Sequence, residues 1–343
     1  MLSDMPKRVT IDDVARLAEV HKATVSRALN ERTRDQVNRD TVERVRLAAQ
    51  RLGYAPDLMA RSLRTRTSMS VGVIIPDLTN PFFPPIVRGI ESHLAPRGYS
   101  ALLANTDSSE LVERAVIAAL LDRRVDGLII ASGHMGDAAL ADAHRAGIPA
   151  VLVNRAAGGV PYPLITGADV EGVTEAVEHL ASLGHRALLH IAGPADISTS
   201  TTRSDAFVEA CERSGIASAV VEADGLSIEG GLRAMEEWLD REPAPTGVLA
   251  SNDLIALGVL RSLRRRGLRC PEDVSLVGYN DMPFAEEFSP SLTTVHVPTH
   301  DLGATAARML LNAISSGQQQ AETVRLPVRL VVRGSTAPPS TAA

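Results

Sequence analysis

From Val71 onward, short apolar runs alternate with longer amphipathic stretches, and this alternation limits the chain to a fold of βα units. Such runs are typical of parallel strands that helices cover on both faces. Four come first, at residues 70–75, 100–104, 127–131 and 150–153, and four follow at 187–191, 219–221, 247–250 and 274–278. Helices are predicted between them, over 83–97 and 110–123 and from near residues 169, 203, 230 and 252. The two series predict two doubly wound parallel-sheet subdomains, with a ligand cleft beyond the carboxyl ends of their strands.

Before Val71 no strand pattern occurs, and helices are predicted over 11–18, 22–30 and 39–52, the last capped by Asn38 and ended by Gly53. Small apolar residues in the first two let them pack across a tight turn, which is the pattern of a helix-turn-helix unit. The second helix of such a unit presents its first residues to base edges, here Lys22, Ala23, Thr24, Ser26 and Arg27. A simple three-helix bundle is the alternative interpretation.

Charge is distributed unevenly along the chain. The net charge is −6, yet residues 1–70 carry 14 Lys and Arg against 9 Asp and Glu, whereas the rest carries 21 against 32. A basic segment on an acidic body favours contact with nucleic acid, although a solvated charged face would look the same.

Several classes of protein are disfavoured. Cys211 and Cys270 are too few and too far apart for a disulfide framework or a zinc site, and neither a signal peptide nor a membrane span is present, so we expect a cytoplasmic protein. No GxGxxG, Walker A, nucleophile-elbow, HExxH or CxxC pattern occurs, and the histidines lack metal-ligand spacing. The sequence therefore predicts no enzyme, no cofactor and no metal.

Ten motifs in order carry a family resemblance: VTIDDVARLA, KATVSRALN, LGYAPDLMARSLRT, PDLTNPFF, VDGLII, EHLASLGHR, SNDLIALG, PEDVSLVGYND, SPSLTTV and DLGATAAR. From Val9 to about Ser335 the chain resembles transcriptional regulators of the lactose-repressor/galactose-repressor (LacI/GalR) family. The resemblance implies an N-terminal all-α helix-turn-helix head and an α/β core like that of a periplasmic sugar-binding protein. It also implies a homodimer that binds pseudo-palindromic double-stranded operator DNA.

For the DNA-binding part, the resemblance adds Thr10 and Asn30 and a hinge helix that begins at Asp57 and forms only on the operator. Leu63 would be an apolar wedge in the minor groove, with Ala60 and Arg64 beside it. Taken alone, a leucine on such a short turn is more often part of a core.

For the effector cleft, Asn80, Phe82 and Phe83 follow the first strand of the body, where α/β sheets bind ligands. Phenyl faces pack on sugar C–H surfaces, but the pair would equally pack under the next helix. The resemblance fills the rest of the cleft from Asn154, Arg155, Arg203, Leu226, Asn252, Asp253 and Asn280. An arginine fork and an aspartate suit a polyol effector; a surface salt bridge for Arg203 and a helix cap for Asp253 are the alternatives.

Some positions depart from the family pattern. Glu19 replaces a turn glycine and therefore needs another way to reach its backbone angles, and His21 replaces a serine. The loop at residues 31–36 is longer and more charged than usual, so Arg32 or Arg34 either adds phosphate contacts or is solvated. Leu226 stands where an aromatic is common, Asp169-Val170 replaces an Asp-Asn pair, and Asn280 removes one carboxylate.

The predicted domains are a DNA-binding domain at 1–56, a hinge and linker at 57–70, an effector-binding and dimerisation core at 71–335, and a flexible tail at 336–343. Within the core, 71–167 with 298–326 and 168–297 with 327–335 form the subdomains. The expected function is a repressor controlled by a small polar effector, a sugar or a sugar derivative, and nucleoid-associated on its operator. The alternatives are a ligand-binding module without regulation, which the head disfavours, and an enzyme, which fold analogy alone supports.

Overall fold

The computed structural model describes residues 9–30, 33–54, 67–134, 136 and 138–340. The chain forms two compact units, Met1–Ser68 and Met69–Ala343, called here the head and the core. Within the described residues, no helix combines the length and the apolar character that crossing a membrane requires.

In its described residues, the head forms the helices α1 (Ile11–Leu17), α2 (Lys22–Leu29) and α3 (Arg39–Leu52) and a 3₁₀ turn at Arg34–Gln36. Each helix begins at a side chain that accepts a backbone hydrogen bond, including the predicted Asn38 cap, and α3 ends at Gly53 in the left-handed conformation. Val14, Val25 and Val45 are fully buried where the helices meet. The predicted helix-turn-helix head is confirmed.

The core contains two six-stranded sheets whose strands follow the same order. The first sheet runs β2-β1-β3-β4-β5-β11 and the second β7-β6-β8-β9-β10-β12. The strands are β1 (Ser70–Ile75), β2 (Ser100–Asn105), β3 (Gly127–Ile130), β4 (Ala150–Val153), β5 (Leu164–Gly167), β6 (Ala187–Ala192), β7 (Ala217–Glu222), β8 (Gly247–Ala250), β9 (Ser275–Asn280), β10 (Thr293–His296), β11 (Thr323–Leu326) and β12 (Arg329–Val331). All neighbouring strands are parallel except β10 and β12.

Helices cover both sheets and define two lobes. The core helices are α4 (Phe83–Leu94), α5 (Glu110–Asp122), α6 (Ala138–Arg145), α7 (Asp169–Ser182), α8 (Ser198–Ser214), α9 (Ile228–Leu239), α10 (Asp253–Arg265) and α11 (Thr299–Ser316), with 3₁₀ turns at Ala95–Arg97 and Ala285–Glu287. Helices α4, α5, α6 and α11 pack with the first sheet to form the first lobe, and α7 to α10 pack with the second sheet to form the second lobe. The predicted doubly wound core is confirmed.

The chain passes between the lobes three times: from β5 into α7, from β10 into α11, and from β11 into β12. Because each lobe contains distant parts of the chain, a change in the angle between the lobes must bend all three crossings.

Helices α4 and α11 of the first lobe approach each other at two glycines. A Cβ on Gly89 would lie 2.0 Å from the carbonyl oxygen of His300, and a Cβ on Gly303 would lie 2.0 Å from that of Ile86. Glycine at these two positions therefore permits backbone contact that any larger residue would block.

The structure corrects three expectations. Each sheet has six strands rather than four, because β5 and β11 extend the first sheet and β10 and β12 extend the second. Helix α8 begins at Ser198 rather than near Arg203. The prediction missed this start because the first turn of the helix consists of serine and threonine, which do not favour a helix. The tail at 336–343 is not flexible throughout: Thr336 contacts His179 at 3.0 Å, and Ala337 donates to Ser275 Oγ at 3.0 Å.

Candidate functional site

The outer face of α2 carries the side chains predicted to contact DNA. Lys22, Ala23 and Arg27 are exposed, and Thr24 and Ser26 are half-exposed. Val25 and Ala28 are buried in the core of the head, whereas none of the predicted contact residues on α2 is buried. Helix α2 therefore has a polar and basic face available for a partner.

Thr10, Asn30 and His21 flank these helices. Thr10 and Asp13 form a capping box: the Asp13 amide donates to Thr10 Oγ1 at 3.4 Å, and the Thr10 amide donates to Asp13 Oδ2 at 3.0 Å. Asn30 is the C-cap of α2. His21 Nδ1 accepts from the Ala23 amide at 3.2 Å, so this imidazole replaces a hydroxyl as the N-cap of α2.

Glu19 occupies the turn between α1 and α2 with φ of 53°. The left-handed region is unfavourable for a residue with a Cβ, so the turn is strained at this position. Ala60, Leu63 and Arg64 of the predicted hinge, and Arg32 of the charged loop, lie outside the described residues.

Asn80 and Phe82 lie between β1 and α4, and Phe83 is the first residue of α4. The Phe82 amide donates to Asn80 Oδ1 at 3.0 Å, so the asparagine shapes the turn that leads into the helix. The two rings meet edge to face with centroids 5.3 Å apart, and the residues are only 4% and 2% exposed. Packing under the helix therefore accounts for both phenylalanines, and their contact with an effector stays a prediction.

Arg155 follows β4 and is 4% exposed, and its Nε and Nη1 atoms have no hydrogen-bond partner among the described residues. Burial lowers the pKa of this guanidinium to about 10, although the charges of Glu113 and Asp196 oppose that shift. Two buried donors without acceptors are costly unless a further group binds them. This position has the chemistry of a ligand-binding residue.

Arg203 is equally buried, but its donors are occupied. It donates from Nε to Asp169 Oδ1 at 3.0 Å and from Nη1 to the Ser251 carbonyl at 2.6 Å, and its Nη2 lies 2.9 Å from Asp169. The guanidinium carbon lies 3.7 Å from the centroid of the Tyr279 ring. The salt bridge that we considered for Arg203 therefore exists, but inside the second lobe rather than on the surface.

Asn252 and Asp253 hold the start of α10. Asn252 Oδ1 accepts from the Ile255 amide at 2.7 Å, and its Nδ2 donates to the Leu226 carbonyl at 3.2 Å. Asp253 is 1% exposed and accepts from Thr294 Oγ1 at 2.6 Å and from the Met282 amide at 2.8 Å. Burial raises the pKa of this carboxyl to about 7. In this conformation Asp253 offers no surface to a ligand.

Asn154 and Asn280 end β4 and β9 with positive φ angles of 67° and 113°. The Oδ1 atom of Asn280 is buried without a partner among the described residues. Asn154 lines a cavity of about 240 Å³ between the lobes, together with Thr166, Asp169, Ser198, Thr199, Thr202 and Arg325. Ala156, Leu164, Gly167 and Val170 also belong to the lining, so the cavity offers polar groups and apolar surface together, as sites for small molecules commonly do.

Sequence reasoning missed two contacts across the cleft. His134 Nδ1 lies 3.1 Å from Asp196 Oδ2, and the Ala156 amide donates to Ser198 Oγ at 2.8 Å. His134 and Asp196 follow β3 and β6, which border the points where strand order reverses in each sheet. Because ligands of such sheets bind at those points, the position of the two residues was the available signal.

Comparison with known proteins agrees with both units. Residues 10–57 match the family model described as bacterial regulatory proteins, lacI family, and residues 177–336 match a periplasmic binding protein-like domain. The ribose operon repressor of Halalkalibacterium halodurans is 35% identical over 95% of this chain and 97% of its own. A solved complex of the transcriptional regulator CelR with cellobiose is 32% identical, with a TM-score of 0.73 over 96% of this chain and all of that one. A Lac repressor dimer bound to operator and the anti-inducer ONPF is 30% identical, with a TM-score of 0.86 over the same shares.

Proposed function

The chain belongs to the LacI family of bacterial regulatory proteins, and from that premise we propose that it is a sequence-specific transcriptional repressor. Its affinity for operator DNA would be set by a small polar effector, a sugar or a sugar derivative, bound between the lobes of the core. The proposal has a DNA-binding half and an effector-binding half. The observation that carries the effector half is Arg155, a buried cation with two donors that have no partner among the described residues.

The DNA-binding half rests on the exposed face of α2. Lys22 and Arg27 supply positive charge, and Ala23, Thr24 and Ser26 are short enough to let the helix approach base edges in the major groove. Thr10 and Asn30 lie at helix termini and are proposed to contact the phosphates, which would fix the register of the head. A homodimer then places two heads on a palindromic operator, as the relative crystallised with its operator is a dimer.

The effector half divides the predicted cleft residues into three groups. We assign ligand contact to Arg155, Asn154 and Asn280, since donors without partners and an unpaired amide oxygen suit hydroxyl groups, which both donate and accept. Arg203, Asn252 and Asp253 are assigned a positioning role because their polar atoms already bind the second lobe. The third group is an apolar wall behind them, which Phe82, Phe83 and Leu226 are proposed to form, with the Asn80 amide beside it.

Regulation follows from the three crossings between the lobes. An effector that binds one lobe angle better than another shifts the population toward that angle, and the first lobe transmits the change to the chain that enters β1 from the head. Ala60, Leu63 and Arg64 in that connecting segment are proposed to contact the minor groove. An effector with equal affinity for both lobe angles would regulate nothing.

The proposal excludes catalysis and places the protein in the cytoplasm, on the nucleoid when it binds its operator. An enzyme would convert the sugar into a product. Because we propose a regulator, we expect chromatography after overnight incubation with ribose or cellobiose to recover both sugars unchanged. Formation of any product would contradict the proposal.

Selection from sheared genomic DNA tests both halves together. The full chain is incubated with fragments alone, with ribose and with cellobiose, and the retained fragments are sequenced. We expect one palindromic motif whose recovery changes with a sugar. Retention of fragments without any shared motif would contradict the DNA-binding half. A motif that is recovered equally with and without every sugar of a wide panel would contradict the effector half.

A further inference from the structure

We propose that His134 and Asp196 form a latch across the cleft, which holds the two lobes together and so sets how readily the core opens. Neither residue belongs to the predicted effector set. The significance of the latch for regulation rests on the proposed function, but its existence does not.

The latch joins loops that belong to different lobes. His134 lies in the first lobe on the loop after β3, and Asp196 lies in the second lobe on the loop after β6. Their Nδ1 and Oδ2 atoms are 3.1 Å apart, within hydrogen-bond range. A rotation that separates the lobes must break this contact, because the two loops extend from different sheets.

Burial differs strongly between the partners. The His134 side chain is 7% exposed, whereas that of Asp196 is 59% exposed. The imidazole is therefore enclosed at the junction of the lobes, and the carboxylate reaches it from the rim. A hydrogen bond with one enclosed partner is less open to competition from water than a bond between two exposed groups.

Two further interactions act on the same segment. The Ala156 amide of the first lobe donates to Ser198 Oγ, two residues after Asp196, and the negative charge of Asp196 acts on the buried Arg155. Within the second lobe, the Ala195 amide donates to Glu222 Oε1 at 3.2 Å, which fixes the segment to its own sheet. Residues 195–198 therefore present two bonds and one charge to the first lobe from a fixed position.

This arrangement implies that effector binding and lobe closure share one segment. Arg155 has two donor atoms without partners among the described residues, and the charges that act on it include the Asp196 carboxylate of the latch. The strength of the latch would therefore set the fraction of molecules in the closed form before any effector binds, and with it the apparent effector affinity.

Hydrogen–deuterium exchange of the full chain, without DNA or sugar, tests the latch directly. The reporter is the Ala156 amide, because its hydrogen is donated across the cleft. His134→Ala and Asp196→Ala should each speed exchange in the peptide that contains Ala156 by roughly 3- to 10-fold, the effect of losing one such bond. The matched control is His296→Ala, which removes a histidine–aspartate contact of 2.9 Å to Asp281 inside the second lobe.

The control should leave exchange at Ala156 unchanged. Wild-type exchange in both latch variants would overturn the proposal, as would equal acceleration in the control variant. If His134→Ala fails to fold, Asp196→Ala carries the test, since its exposed side chain can be removed without opening a cavity. Because the measurement needs neither DNA nor effector, its failure is distinct from a failure of operator binding.

Discussion

The head and the cleft both present polar side chains for binding, but they hold them in opposite ways. On α2 of the head, Lys22 and Arg27 are exposed, and the N-cap of this helix is His21, which is not among the predicted contact residues. In the cleft, Arg203 and Asp253 are buried and bound to their own lobe, whereas Arg155 is buried with donors that have no described partner. A surface that meets phosphates can stay solvated, but a site for a small molecule must be assembled before the ligand arrives.

Breaking the ion pair of Arg203 should have the largest effect. Asp169→Ala leaves a buried guanidinium without its counter-charge, so we expect the free energy of unfolding of the core to fall by about 3–5 kcal/mol. Urea denaturation followed by circular dichroism measures this loss. Asp142→Ala removes an exposed ion pair with Arg145 and should change the free energy by less than about 1 kcal/mol. Equal effects would show that the buried pair has no special role.

Replacing Arg155 should separate stability from ligand response. Arg155→Met keeps most of the volume and removes two unpaired donors, so the melting temperature should stay the same or rise. Sugar binding should weaken about 10- to 100-fold, because hydrogen bonds to a charged group contribute about 1.5–3 kcal/mol. Calorimetric titration with the sugar identified by the DNA selection measures the loss. Retained affinity would remove Arg155 from the binding residues.

The buried carboxyl of Asp253 should make stability depend on pH. Its pKa is raised to about 7, so between about pH 4 and pH 7 the folded state binds more protons than the unfolded state. Its contribution to stability is therefore fully present at low pH and declines as pH rises to about 7, by up to about 1.4 kcal/mol per pH unit. Asp253→Asn, which stays neutral, should flatten this part of the profile in urea denaturation at several pH values. An unchanged slope would assign the dependence to other groups.

The smallest effect is expected at the strained turn of the head. Glu19→Gly relieves a left-handed residue and should stabilise the head by about 1 kcal/mol. Hydrogen exchange at the α1 and α2 amides of the full chain should then slow by roughly fivefold. Glu43→Gly, on the exposed side of α3, should instead destabilise the head and speed exchange, since glycine within a helix costs about 1 kcal/mol.

Much of the fold could be predicted from local patterns. The bounds of β1, β4, β8 and α3 match the prediction residue for residue, because continuous apolar runs and clear caps mark them. Strands β11 and β12 escaped prediction because they are short and their side chains are exposed or half-exposed. The start of α8 was missed since serine and threonine do not indicate a helix.

Local patterns were enough to predict the helix-turn-helix head and the two series of βα units. Periodicity, caps and motifs are local, and neighbouring residues in the chain express them in full. Which of the predicted cleft residues already bind other parts of the protein depends instead on contacts between distant residues. Arg203 finds Asp169 34 positions away, and His134 finds Asp196 62 positions away. The first pair depends on how α7 and α8 pack within the second lobe, and the second pair depends on how the two lobes meet. Neither geometry leaves a periodic trace in the chain.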